Sequence, residues 1–293
     1  MTAEGANDSA AAAEEPAVRL QTIACSLAAW ELQKNLAARA DTPRQREFLL
    51  HAHQQLQAEL EERRQVPPAD RSVILQTPGA RESVLLIHGA TTTPAEMRPL
   101  AQRLQAAGYH VYAPLLPTRA NLAPGLGDVL WRACLEEVLV RYRLLKQASR
   151  RVHVVGLSFG AALAIHLARQ ERPASLALLA PALIPRLPVG VRLLLRLGVQ
   201  RMKWVRRRYG WSLEVLQAME RARPCVSRLG MPVYAAQCQD DERMLPASLR
   251  FLQRKTRHRN SRFRLYPTGG HLILRSHGPT GLHDEIAAFI REA

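Results

Sequence analysis

The chain has 293 residues, 47% hydrophobic and 23% charged, enough for one large core or one core with a small appendage. Lys and Arg number 41 against 25 Asp and Glu, a formal net charge of +16. Only four of the basic residues are Lys and only 5% of the chain is aromatic, so base-stacking platforms are scarce and no nucleic-acid partner is expected.

The start, MTAEGANDSAAAAEEPA, is acidic and has no basic stretch leading into an apolar one, so no secretory signal is expected. No apolar run approaches the roughly 20 residues of a membrane span. Four cysteines (Cys25, Cys134, Cys225, Cys238) lack C-x-x-C spacing, which argues for reduced thiols rather than a disulfide framework or zinc site. Cytoplasmic residence is the expectation.

Residues 1–15 are Ala/Glu/Ser-rich and expected to be disordered. Apolar residues then recur at three-to-four-residue steps from Val18 to Ala40 and from Thr42 to Arg64, with Pro43 placed for a first helical turn. Residues 16–65 therefore read as a helical hairpin. Residues 1–70 hold 11 acidic against 7 basic residues, the reverse of the whole chain. A docking appendage is the simpler reading, a partner-binding role the alternative.

After the linker Val66-Pro67-Pro68, Ser72–Gln76 and Ser83–Ile87 read as a pair of strands flanking a Thr77–Ala80 turn. Thr93-Pro94-Ala95-Glu96 fits a capping box opening a helix to about Ala107. Val111–Ala113 reads as a strand, 114–127 as a loop and Asp128–Gln147 as a helix. Ser175–Leu179, Pro232–Ala236 and Arg262–Tyr266 continue the strands, Leu245–Arg254 and Asp284–Arg291 the helices. This alternation predicts an α/β chain with a mostly parallel sheet and helices on both faces. Residues 182–229 break the rhythm with helical patterning, 181–230 holding 11 Arg or Lys against 2 acidic residues. This insertion is expected to cap the carboxyl ends of the strands. An ordinary solvated lid with biased Arg usage is one reading. Peripheral contact with an anionic membrane surface is the other.

The stretch Arg151–Ala162, RVHVVGLSFGAA, carries the chemistry. A Val-rich strand, Gly156-Leu157-Ser158-Phe159-Gly160, and a helix with small residues at its start make the strand–turn–helix setting of a G-x-S-x-G nucleophile elbow. A serine hydroxyl needs a base and a group to orient that base. His271, in the glycine-bearing loop Pro267–Leu272 after the last strand, is the preferred base. His258 lies in a charged run, His153 and His166 on the elbow elements, and His88 is read as packing its loop. The acid is sought in Gln237–Glu242: Asp241 is preferred and Asp240 is the alternative. Backbone N–H groups of Phe159 and Ala90 are expected to form an oxyanion hole. No metal or organic cofactor is expected.

The segments HGATTTPAEMRPLAQRLQAAGYHVYAPLLP, GLSFGAA, AAQCQDDERMLP and PTGGHLIL resemble the α/β-hydrolase family, most nearly its bacterial carboxylesterase and monoacylglycerol lipase branch. The resemblance spans roughly residues 71–293. It implies Asp241, placed just before Glu242, as the catalytic acid, His271 as the base and Ala90 as an oxyanion donor. The family's Gly-His-Gly loop is replaced here by Leu116-Pro117-Thr118-Arg119-Ala120, and neither residues 1–65 nor the Arg-rich cap has a counterpart. The expected activity is a serine hydrolase cleaving small-molecule acyl esters through an acyl-enzyme. A thioesterase or acyltransferase on the same residues is the alternative, and a non-catalytic binding protein a third class.

Overall fold

A computed structural model describes residues 43–118, 131–188, 190, 191, 194, 197 and 202–293. The expected tail, the helix Val18–Ala40, Cys25, residues 119–130 and several cap positions lie outside the described residues. Seven strands form one sheet in the order β1-β3-β2-β4-β5-β6-β7. They are β1 (Val73–Leu75), β2 (Glu82–Ile87), β3 (His110–Ala113), β4 (Arg151–Leu157), β5 (Leu176–Leu179), β6 (Val233–Cys238) and β7 (Arg262–Tyr266). All pairings are parallel except β1 with β3.

Strand periodicity divides the core between the sheet's two faces. In β2, Leu85 and Ile87 join one cluster, with Trp131, Leu135, Phe159, Leu163 and Leu252. Val84 and Leu86 join the other, with Leu100, Leu104, Ile286 and Phe289. The first face is covered by α1 (Pro43–Arg63), α3 (Trp131–Ala148), α4 (Phe159–Gln170), the carboxyl half of α5 (Lys203–Ala222) and α6 (Ala247–Lys255). The second is covered by α2 (Arg98–Ala106) and α7 (Leu282–Glu292). This is the mostly parallel sheet with helices on both faces that the alternating pattern predicts. No helix among the described residues is long and apolar enough to cross a membrane.

Three expectations need correcting. The strands flanking Thr77–Ala80 are not neighbours, because β3 lies between them. The capping box does not form. The Glu96 N–H bonds the Thr93 carbonyl instead (3.1 Å), opening a 3₁₀ turn over Pro94–Met97, and the Thr93 hydroxyl donates to Asp70 (2.8 Å). The freed Glu96 carboxylate pairs with Arg275 (3.0 Å). Finally, β6 runs to Cys238, two residues past the expected end.

Helix α1 is fastened to the sheet by apolar and polar contacts. Leu49 and Leu50 enter the first core cluster. His53 Nε2 lies 2.9 Å from the Tyr112 hydroxyl, and buried Glu61 accepts from the Ser72 N–H (3.0 Å) and hydroxyl (2.5 Å). Within residues 182–229, expected from the sequence to be an insertion, α5 is held to the body by Glu214, which accepts from the Trp131 N–H at the start of α3 (3.2 Å), and by the Ala218 carbonyl, which accepts from His166 (2.9 Å).

Candidate active site

Strand β4 ends at Leu157 and α4 begins at Phe159, which leaves Ser158 as the whole turn. Its backbone sits at φ 55°, ψ −114°, a conformation that L-residues rarely adopt. The turn is pinned by the Ser158 N–H on the Leu179 carbonyl (2.8 Å), and its own carbonyl accepts from Ala161 (3.0 Å) and Ala182 (3.2 Å). Glycine is required on both sides by close approach. A Cβ on Gly156 would stand 2.4 Å from the Gly160 carbonyl oxygen, and one on Gly160 would stand 2.1 Å from that of Ile87.

The structure brings the three side chains expected from the sequence into one chain of hydrogen bonds. The Ser158 hydroxyl donates to His271 Nε2 at 2.8 Å. His271 Nδ1–H donates to Asp241, with its two oxygens at 2.9 and 3.0 Å. Asp241 is fully buried and His271 nearly so, whereas Ser158 keeps some exposure. Around Asp241, one oxygen also accepts from the N–H groups of Arg243 (2.9 Å) and Met244 (2.8 Å), the other from Gln237 Nε2 (3.3 Å). Burial pushes the Asp241 pKa up. The His271 hydrogen bond and charge, with the two backbone N–H groups, outweigh it and hold the carboxyl below its ordinary value. A carboxylate held ionised against Nδ1 is arranged to fix the orientation of the imidazole, and could balance positive charge on it.

Asp240, the alternative acid, turns the other way. Its carboxylate accepts from the N–H groups of Gly269 (3.2 Å) and Gly270 (2.9 Å) in the His271 loop. Spacing alone could not separate two adjacent aspartates; in the structure Asp241 is fully buried against His271 and Asp240 is exposed. Phe159 opens α4 directly behind the serine. Half-buried Ala90 follows Gly89, whose Cβ, if it had one, would lie 3.7 Å from that of Ser158. The residues expected to supply the oxyanion donors thus lie beside Ser158, Phe159 next to it in sequence and Ala90 next to Gly89, which approaches it.

His88 fixes this loop. Its Nδ1–H donates to the Gly89 carbonyl (2.8 Å) and Nε2 accepts from the Leu116 N–H (3.0 Å). Burial pushes its pKa down to about 4, so the ring is neutral and fully engaged, as a packing residue should be. A second Ser–His–Glu chain exists, in which His153 joins Ser175 (2.7 Å) to Glu82 (3.1 Å). It sits at the opposite ends of the strands with Ser175 buried, so its hydroxyl has no access to substrate. His258 is half-buried and accepts from the Asn260 N–H (3.3 Å), and His277 is exposed. No group of three or more His, Cys, Asp or Glu side chains among the described residues is arranged to hold a metal ion.

Sequence reasoning passed over Gln237 and Arg243, weighed Asp240 only as the alternative acid, and gave Glu242 no role of its own. Gln237 points its amide N–H at Asp241, and the carboxylate fixes that orientation because an amide oxygen there would repel it. Arg243 reaches from the acid loop to the Thr91 hydroxyl beside Ala90 (3.2 Å). The one legible signal was the unbroken run Asp240-Asp241-Glu242, three acceptors opposite a loop rich in free N–H groups.

A model described as "Alpha/beta hydrolase family" matches residues 84–285. Over 88 residues the chain is 36% identical to a thermostable monoacylglycerol lipase of Bacillus sp. (strain H-257), a match spanning 30% of this chain and 35% of that protein. The fold is similar to a structure from a study of LipS and LipT, two metagenome-derived lipolytic enzymes (TM-score 0.63, 19% identity, 78% of this chain and 100% of that one). It is equally similar to a monoacylglycerol lipase of Paleococcus ferrophilus (TM-score 0.63, 18% identity, 76% and 98%). The ferulic-acid-bound Est1E of Butyrivibrio proteoclasticus is similar at TM-score 0.59 and 15% identity, over 76% and 94% of the two chains.

Proposed function

The chain belongs to the alpha/beta hydrolase family, and from that premise we propose that it is a serine hydrolase that cleaves carboxylic esters, of the carboxylesterase or monoacylglycerol lipase type. The observation that carries this reading is the 2.8 Å contact between the Ser158 hydroxyl and a His271 ring whose other nitrogen is held by Asp241. In the proposed reaction His271 Nε2 takes the hydroxyl proton as Ser158 Oγ attacks the ester carbonyl. Ala90 and Phe159 N–H groups stabilise the tetrahedral oxyanion, each worth about 3–4 kcal/mol of barrier. His271 then protonates the departing alkoxide, leaving an acyl-Ser158. Water deprotonated by His271 releases the carboxylic acid and restores the serine. Only backbone and side-chain groups are needed.

The substrate class is drawn from the named activity of the Bacillus relative over its matching segment and from the resemblance of the quoted motifs. Hydrolysis of p-nitrophenyl acyl esters over a series of chain lengths, beside matched acyl thioesters, tests it. The reading expects ester turnover that Ser158→Ala reduces at least about 10³-fold. Full activity in that variant would remove the mechanism, and a thioester preference would change the substrate class while keeping the residues. The exposed apolar residues Val191, Leu194, Leu197 and Met202, in the Arg-rich segment, support peripheral contact with anionic lipid. Co-sedimentation with anionic liposomes that weakens in salt is the expected result, and indifference to lipid charge ends that part of the reading.

A further inference from the structure

We infer that Asp240 and Glu242 are positioning residues for His271. The inference rests on the reading of Ser158, His271 and Asp241 given above. Three consecutive carboxylates grip one loop at three points. Asp240 takes the Gly269 and Gly270 N–H groups (3.2 and 2.9 Å), Asp241 takes the imidazole Nδ1–H, and Glu242 takes the His271 N–H (3.0 Å). The donors are made available by the backbone. Gly269 and Gly270 sit at φ 134° and 65°, so the chain turns its successive N–H groups towards one anion. A residue with a side chain could not follow, since a Cβ on Gly269 would stand 2.8 Å from Cys238 Sγ.

The grip matters because the imidazole must reach Ser158 and Asp241 at once. One carboxylate on the ring fixes the tautomer but leaves the ring free to ride with its loop. Two more on the backbone of the same three residues hold the loop itself, with ion-to-amide bonds that are stronger than neutral ones. The acid segment is in turn tied down. The Gln239 N–H bonds the Tyr266 carbonyl (2.8 Å), and Arg243 spans from Glu242 (3.5 Å) to Thr91 of the loop that carries Ala90. Residues 239–243 thereby place the base, the acid and one oxyanion donor on a single frame. Asp240 and Glu242 are both exposed, so truncating either opens no cavity; the N–H groups of buried Gly269 and His271 lose their acceptors, and the variants are expected to fold with lowered melting temperatures.

The test compares the full-length wild type, Asp240→Ala, Asp240→Asn, Glu242→Ala and Ser158→Ala on a p-nitrophenyl ester, well below each melting temperature. Misplacing a catalytic group by about 1 Å costs up to about 100-fold, so Asp240→Ala and Glu242→Ala are expected to lose about 10- to 100-fold in kcat with KM held within about twofold. Asp240→Asn keeps one acceptor oxygen and is expected to fall between Asp240→Ala and wild type. In proton NMR the low-field resonance of the His271 Nδ1–H is expected to weaken through exchange in the Ala variants. Asp240→Asn as poor as Asp240→Ala would mean that charge alone acts, and would overturn the inference. So would unchanged kcat in both Ala variants alongside an inactive Ser158→Ala. Activity retained in Ser158→Ala would instead overturn the serine reading, and this inference with it.

Discussion

At Gly160 the turn behind the serine lies so close to the end of β2 that a methyl group has no room: its nearest neighbour would be a backbone oxygen at 2.1 Å. Gly160→Ala is therefore expected to destabilise the protein by about 1–3 kcal/mol or more, read as a fall in the urea midpoint, because strand and helix must part to admit it. An unchanged midpoint would contradict the close approach. At Asp241 the argument concerns charge. Asp241→Asn fills the same volume, but an amide N–H turned towards the Arg243 and Met244 N–H groups or the ring disrupts the acceptor pattern. The expected loss in kcat is on the order of 10⁴-fold with little change in fold, measured by ester hydrolysis and circular dichroism. The serine, histidine and glycines were legible as residue types in a fixed local pattern. Asp241 was preferred over Asp240 through the resemblance; local composition alone left Asp240 open, because which of two adjacent carboxylates meets the imidazole depends on the distant His271 loop.

Elements were legible where periodicity was strong and partners were local. Strand β7 occupies the expected residues, and β4 and α4 differ from expectation only at their ends. Elements failed where a tertiary partner outbid the local one, as when Asp70 took the Thr93 hydroxyl and Arg275 took Glu96. Helix α1 shows what composition hides. Its acidic surroundings suggest a docking appendage without saying how it docks; one stripe carries Leu49 and Leu50 into the core of the sheet's first face while Phe48 remains 64% exposed. Leu50→Ala is expected to cost about 2–5 kcal/mol in urea unfolding. Phe48→Ala, beside it in sequence, is expected to stay within about 0.5 kcal/mol. Equal effects would mean that α1 does not pack as described.

For the molecule as a whole, acid is the expected weakness. His53, His88, His153, His166 and His283 all have pKa values pushed down, in each case first by burial. A histidine held neutral in the fold but free to protonate when unfolded contributes stability that is complete above about pH 6.5 and is lost as pH falls towards its folded pKa. For His88, with a folded value of about 4, that window runs from about pH 6.5 to 4 and is worth on the order of 3 kcal/mol. The melting temperature is accordingly expected to fall between pH 7 and pH 5, and a rise over that interval would contradict it. The net charge of +16 works in the same direction, since protonation adds to an existing excess.

All of these scales meet at one hydroxyl, and its reactivity can be read directly. The purified full-length protein is treated with a fluorophosphonate probe, and the adduct is counted by intact mass and located by peptide mapping. The expected result is one phosphonate per chain on the peptide carrying Ser158, lost in His271→Ala although that variant keeps the serine. Modification at another residue, or ester hydrolysis that continues while Ser158 stays unmodified, would contradict the account.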